Sequence, residues 1–96
     1  MAIVYIIFSE SLKKFYVGYT TESVELRIER HNNKHYQNKY TANGIPWSLF
    51  LEIQCESIKH ALMVEKYIKS MKSTTYLQNL KKYPEMVGKL NQKCRE

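Results

Sequence analysis

The first apolar segment constrains this chain more than any other feature. Ala2 to Phe8 (Ala-Ile-Val-Tyr-Ile-Ile-Phe) is apolar without interruption, rich in β-branched and aromatic side chains, and followed at once by the polar run Ser9-Glu10-Ser11. Such a run reads as a strand buried on both faces. After a turn through Leu12, Lys13 and Lys14, the segment Phe15-Tyr16-Val17-Gly18-Tyr19 has strand composition and lies close enough to return as a hairpin. Side chains alternate along a strand, so Tyr5 shares a face with Ile3 and Ile7, and Tyr16 shares one with Gly18. A hairpin register can put both tyrosines on the same side.

With 96 residues there is room for one core. A single domain is expected over residues 1–90, with 91–96 as a frayed tail that offers nothing to bury. A hydrophobic fraction of 44%, with three Gly and two Pro, excludes collagen-like, low-complexity and disordered classes. Fifteen Lys and Arg against nine Asp and Glu give a net charge of +6, which makes nucleic acid the first partner to consider. Cys55 and Cys94 are distant in sequence and form no C-x-x-C pair, so neither a disulfide framework nor a thiolate zinc site is indicated and a reducing compartment fits. No stretch approaches membrane-spanning length and none resembles a signal peptide, so a soluble cytoplasmic protein without a membrane partner is expected.

Candidate caps Thr20, Thr21 and Ser23, with Glu22 and Glu25 behind them, predict a helix over roughly 22–32, Val24 and Ile28 marking its buried stripe. Lys34 to Pro46 lacks either periodicity and reads as a basic, aromatic loop of functional length. From Trp47 to Gln54 the chain alternates, with Trp47, Leu49, Leu51 and Ile53 on one face of a third strand and only Phe50 breaking the polar face. Glu56 or Ser57 opens a second helix through about Met71, with Ile58, Ala61, Leu62 and Ile68 as its apolar positions. A third follows Ser73 or Thr74 and is stopped by Pro84. Met86, Val87 and Leu90 in the segment beyond can dock on the core.

Polar groups in apolar places mark the candidate site. On the second helix Glu65 falls in the centre of the apolar stripe, where an ionised carboxylate needs a metal, an Arg or a Lys; a plain ion pair with Lys69 or Arg27 also satisfies it. Arg27 and His31, spaced i and i+4, lie beside the Val24 and Ile28 stripe and can face the sheet edge. Arg clamps phosphate and His donates to a phosphate oxygen or holds a water; the bland alternatives are a boundary arginine and a helix-capping histidine. His35 and His60 have weaker claims, and no H-E-x-x-H pattern supports zinc. Tyr36, Tyr40 and Trp47 stand among Lys34, His35 and Lys39, an interleaving that suits stacked bases and phosphates, although Trp47 is more naturally a core residue. Lys69 and Lys72 lie near the Glu65 side and are phosphate-contact candidates; a solvated helical face would explain them equally.

The ordered set resembles the GIY-YIG nuclease superfamily, particularly its small single-domain bacterial members, over nearly the whole chain. The two triplets appear as Ile3-Val4-Tyr5 and Tyr16-Val17-Gly18, followed by Arg27 and His31, Lys39-Tyr40-Thr41-Ala42, Glu65 with Lys69, and Tyr76 to Pro84. Ile3 stands where the family has its leading Gly, and Val replaces the middle Ile of both triplets. These are backbone or packing positions. The resemblance implies an α/β (α+β) domain with a three-stranded antiparallel sheet flanked by helices, hydrolysing DNA phosphodiesters with one divalent ion, Mg²⁺ or Mn²⁺. It implies Glu65 as metal ligand and Tyr5, Tyr16, Arg27 and His31 as the remaining catalytic set. Tyr5 and His31 would activate or hold the attacking water, and Arg27 would steady the phosphate. Lys39, Tyr40, Lys69, Lys72 and Asn79 are the candidate nucleic-acid contacts, with RNA as a possible substrate alongside DNA. A structure-specific or repair role is one expectation, and a non-catalytic nucleic-acid-binding module recruited to a repair complex is the alternative. Tyr5, Tyr16, Arg27, His31 and Glu65 should then converge on one concave site.

Overall fold

A strand with two apolar faces belongs in the middle of a sheet with a layer on each side, and the chain folds that way. The computed structural model describes residues 2–33 and 44–95. Strand β1 (Ala2–Ser9) is central in a three-stranded antiparallel sheet of order β2-β1-β3, with β2 (Lys14–Thr20) and β3 (Trp47–Cys55) at the edges. Helix α1 (Val24–Asn32) precedes β3, and α2 (Ile58–Met71), α3 (Thr74–Lys82) and α4 (Pro84–Lys93) follow it. This is the expected three-stranded, helix-flanked α/β architecture.

The alternation of β1 divides the core into two clusters. Val4 and Ile6 face a large cluster with Val17, Ile53, Ala61, Val64, Ile68, Leu77, Leu80 and Leu90, which is covered by α2, α3 and α4. Tyr5 and Ile7 face a smaller one with Val24 and Trp47, covered by α1. Each fully buried aliphatic side chain contributes about 1.5–3 kcal/mol of transfer free energy, so the larger cluster holds the fold while the smaller one carries the polar residues.

Three sequence expectations change. Strand β3 does not keep one face: Ile6 pairs with Leu51 but Ile7 with Leu49, so Phe50 is an extra residue in the ladder. That slip sends Trp47 to the α1 side and Ile53 to the other. It also turns Phe50 onto Phe15, edge to face with ring centroids 4.8 Å apart, which explains the one apolar residue on a supposedly polar face. On α2 the buried stripe is His60, Ala61, Val64 and Ile68, whereas Ile58 and Leu62 are exposed. The stripe is therefore rotated, and Glu65 stands at its border. Helix α1 begins at Val24 because Ser23 is the residue that caps it, its Oγ accepting from Leu26 N at 3.0 Å. Glu22 lies outside the helix and pairs with Arg30 at 2.8 Å.

The C-terminal segment also finds partners that its composition conceals. Helix α4 runs to Lys93, and Leu90 and Cys94 are buried. Asn91 donates from Nδ2 to the Gln54 carbonyl at 3.0 Å, and its own carbonyl is 2.9 Å from His60 Nε2. His60 Nδ1 accepts from Glu56 N at 3.1 Å, so one buried imidazole ties the end of β3 to α4. Leu90 is the docking leucine that the sequence suggests, whereas the two hydrogen bonds to main-chain carbonyls and the burial of Cys94 replace the frayed end expected from residue 91 onward. Removing that leucine, as Leu90→Ala, is expected to cost about 2–5 kcal/mol, seen as a lower urea midpoint at unchanged m-value.

Candidate active site

The site starts from the hairpin register. Ile7 pairs with Tyr16 and Tyr5 with Gly18, which puts both tyrosines on the α1 face, one pair apart along the ladder. Gly18 is required there by close approach: a Cβ on it would sit 2.7 Å from Tyr5 Oη, 2.8 Å from Tyr5 Cζ and 3.3 Å from Tyr16 Cε2. The Tyr5 ring lies over the glycine, and its hydroxyl is thereby aimed at helix α1.

Helix α1 supplies the answering groups. Tyr5 Oη and His31 Nε2 share a buried hydrogen bond of 3.1 Å, and the His31 ring stands edge-on to Tyr16 with centroids 5.3 Å apart. One turn earlier, the Arg27 guanidinium carbon is 6.0 Å from the Tyr5 ring centroid. The neighbouring residue fixes the helix end. Asn32 accepts from Trp47 N at 2.6 Å and donates to Trp47 O at 3.1 Å, using its side-chain amide as a further rung on β3. By sequence the pair Asn32-Asn33 at the end of a helical pattern reads as a stop, and no local pattern distinguishes a stop from a clamp.

Two effects compete at His31. A helix C-terminus favours a charged imidazole, whereas burial to 3% exposure penalises it. Burial wins: desolvation first, and the Arg27 cation second, lower its pKa from 6.5 to about 4. At neutral pH His31 is an uncharged base beside a phenol.

The carboxylate comes from the other layer. Helix α2 packs on β1 and β2 from the large-cluster side, so Glu65 comes from the layer opposite α1. Its side chain is 16% exposed and pairs with Lys69 at 3.2 Å, and Lys69 Nζ lies 5.9 Å from the Tyr16 ring centroid. Tyr5, Tyr16, Arg27 and His31 are thus in mutual reach, and Glu65 is linked to them through Lys69 around the edge of β2. Lys72 is the C-cap of α2, and Asn79 is half-buried on α3 in the large-cluster layer. Lys39 and Tyr40 lie outside the described residues. The carboxylate directly opposite Tyr5 is Glu52 on β3, exposed and on the tyrosines' face. Among the described residues no cluster of three or more His, Cys, Asp or Glu side chains could hold a metal by itself. Mg²⁺ needs no such cage, because it keeps several waters and takes one or two carboxylates together with substrate phosphate oxygens. A half-buried carboxylate neutralised by one flexible lysine fits that mode.

Since the folded pKa of His31 lies below its unfolded value, the stability contributed by the neutral imidazole is intact above about pH 6.5 and is lost as pH falls through about 4. The loss is roughly 3 kcal/mol in all, visible as a fall in Tm across that window that shrinks in His31→Gln. Gly18→Ala is expected to displace the Tyr5 ring and destabilise the fold by about 1–3 kcal/mol in denaturant titrations.

Comparison with known proteins bears on the family. The sequence profile of the GIY-YIG catalytic domain matches residues 1–81. A protein of Syntrophus aciditrophicus (strain SB), designated UPF0213 protein, is 34% identical over 73 residues, covering 76% of this chain and 83% of that one. No solved structure matches. With its paired strand tyrosines, the glycine beneath them and a profile match over most of its length, the chain belongs to the GIY-YIG nuclease family.

Proposed function

We propose that the protein is a divalent-metal-dependent endonuclease that hydrolyses DNA phosphodiesters in the cytoplasm, with branched, damaged or single-stranded forms as candidate substrates in repair. The nuclease family itself follows from the domain match. The observation that carries the mechanism is the 3.1 Å hydrogen bond between the Tyr5 hydroxyl and a buried, uncharged His31.

In this reading Arg27 holds the scissile phosphate through its guanidinium, and Tyr16 shapes the opening beside it. Tyr5 holds the attacking water. Its own proton lies on the path to His31 Nε2, so the water can lose a proton to the phenol oxygen as the phenol passes one to the imidazole. A phenol alone titrates near about pH 10 and would be a poor base without that outlet. Burial is the larger cause of the lowered His31 pKa and the Arg27 cation the second, so a phosphate on Arg27 offsets the second cause and strengthens the base in part. Glu65, now paired with Lys69, is the proposed ligand that would hold Mg²⁺ or Mn²⁺. When bound, the ion supplies charge stabilisation at the phosphate and leaving oxygens. Lys69, Lys72 and Asn79 are the proposed nucleic-acid contacts among the described residues.

Purified protein is expected to cut at least one member of a panel of duplex, single-stranded, branched and damaged DNA with Mg²⁺ or Mn²⁺ and not with EDTA. Glu65→Ala should abolish cutting and Tyr5→Phe should lower it by about 10²-fold or more, the usual scale for losing a positioned proton-transfer group. Metal-independent cleavage would overturn the mechanism. So would activity that survives Glu65→Ala and disappears in Glu52→Ala, because the ion would then sit on the tyrosines' face of the sheet. Salt-sensitive binding with no cleavage under any divalent ion would favour the non-catalytic module.

A further inference from the structure

A second basic feature lies next to the candidate site and is built from separate parts of the chain. A groove of about 310 Å³ opens between the β1–β2 turn and the junction of α2 with α3, with Phe15, Val17, Ile68 and Leu77 in its apolar lining and Lys13, Lys14, Lys69 and Lys72 around it. Lys13 pairs with Glu10 at 2.9 Å, with both side chains more than two-thirds exposed, and Lys69 pairs with Glu65 at 3.2 Å. Among the described residues no carboxylate lies within ion-pair distance of Lys14 or Lys72. Two of the four lysines at this groove, Lys14 and Lys72, thus carry a positive charge that no carboxylate among the described residues neutralises, which favours an anion there.

The backbone makes the choice of lysine harder to explain on stability alone. Among the described residues only Lys13, at φ 54°, and Lys72, at φ 49°, have positive φ without being glycine. Left-handed turn and helix C-cap positions favour Gly or Asn, and a long side chain there is disfavoured. Both exceptions are lysines, from opposite walls, and both line this one groove. Positions that break a local rule without a packing gain are where function is to be sought. Lys69 joins the groove to the site, because it lines the one and hangs 5.9 Å from the Tyr16 ring of the other.

We infer that this groove is a DNA-backbone subsite: Lys13, Lys14 and Lys72 take the phosphates flanking the scissile one, and Lys69 bridges to the cleavage site. The inference rests on the nuclease reading and adds to it the side of the sheet along which the strand runs, past the β2 edge and across the β1–β2 turn. Lysines suit that task because they neutralise backbone charge without reading sequence.

The test uses the double variant Lys13→Gly, Lys72→Gly, which places glycine at both left-handed positions. It should melt no lower than the parent protein, so that lost binding is not lost fold. Binding of a short fluorescein-labelled DNA is followed against salt, with Ca²⁺ replacing Mg²⁺ to prevent cutting. The slope of log affinity against log salt should become shallower by about 0.7 to 0.9 for each lysine that contacts a phosphate. Lys13→Arg, Lys72→Arg should keep the parental slope. A glycine variant that folds and binds with an unchanged slope would overturn the subsite and leave the nuclease assignment standing. A parent protein that neither cuts nor binds DNA in a salt-dependent way would overturn both.

Discussion

Strand β1 has no polar face, and the rest of the molecule is arranged around that constraint. A strand buried on both sides needs a neighbour at each edge and a cover on each face. The chain supplies β2 by an immediate hairpin, β3 by an antiparallel return, α1 above and α2 to α4 below. The two faces are unequal. The aliphatic side is deep enough to carry the fold, and this frees the α1 side to bury a tyrosine, a histidine and a tryptophan, with the tyrosine hydroxyl on His31 Nε2 and the tryptophan main chain on Asn32. The candidate site is the thinner half of the core.

What was legible in the sequence follows from this division. Period-two alternation was enough to place Tyr5 and Tyr16 on one face, because the hairpin is short and its register admits little freedom. The i, i+4 spacing of Arg27 and His31 was enough to turn both toward the sheet, where the tyrosine ring and hydroxyl meet them. The third strand misled the same reasoning. A bulge at Phe50 inserts one residue, and alternation counted through it assigns Trp47 and Ile53 to one face when they belong to two. Phe50 packs on Phe15, thirty-five residues away in sequence, and under the Lys81 ammonium, so the insertion is stabilised by contacts that no local pattern shows. On α2 the helical wheel was right in period and wrong in phase, since a buried histidine, His60, took a place that hydrophobicity counting gives to Ile58 or Leu62. Polar residues buried through specific hydrogen bonds are invisible to apolar counting. His60 and Asn32 are both of this kind.

Glu65 shows the same limit in electrostatic form. Its place on the wheel implied a compensating cation, and Lys69 is there at 3.2 Å. The wheel could not say that the helix lies on the sheet face opposite the tyrosines, because that depends on the order of strands and not on any local pattern. The ion pair therefore reaches the tyrosine cluster by passing the edge strand, with the lysine as its nearer member. An edge strand with lysines at its start and beside its far wall is also protected from pairing with another sheet, so the same charges that would hold a phosphate backbone discourage aggregation.

The electrostatics of the two halves are complementary on the proposed reading. On the tyrosine side burial first and the Arg27 cation second hold His31 uncharged, and a phosphate bound at Arg27 would offset the second of these. On the carboxylate side Lys69 neutralises Glu65, and were Glu65 to hold a divalent ion the ammonium would be available to a backbone phosphate. Each half thus carries one charge that its ligand, a phosphate or a divalent ion, would balance. A site in which substrate and metal each remove the cost of the other's absence binds them with positive coupling. Because such coupling is reciprocal, DNA should tighten metal binding by the factor by which metal tightens DNA. Removing the lysine breaks that link: in Lys69→Met the carboxylate loses its internal partner, so metal binding becomes less dependent on DNA, an outcome that titration of Mn²⁺ with and without a non-cleavable DNA would register as a reduced ratio of the two affinities.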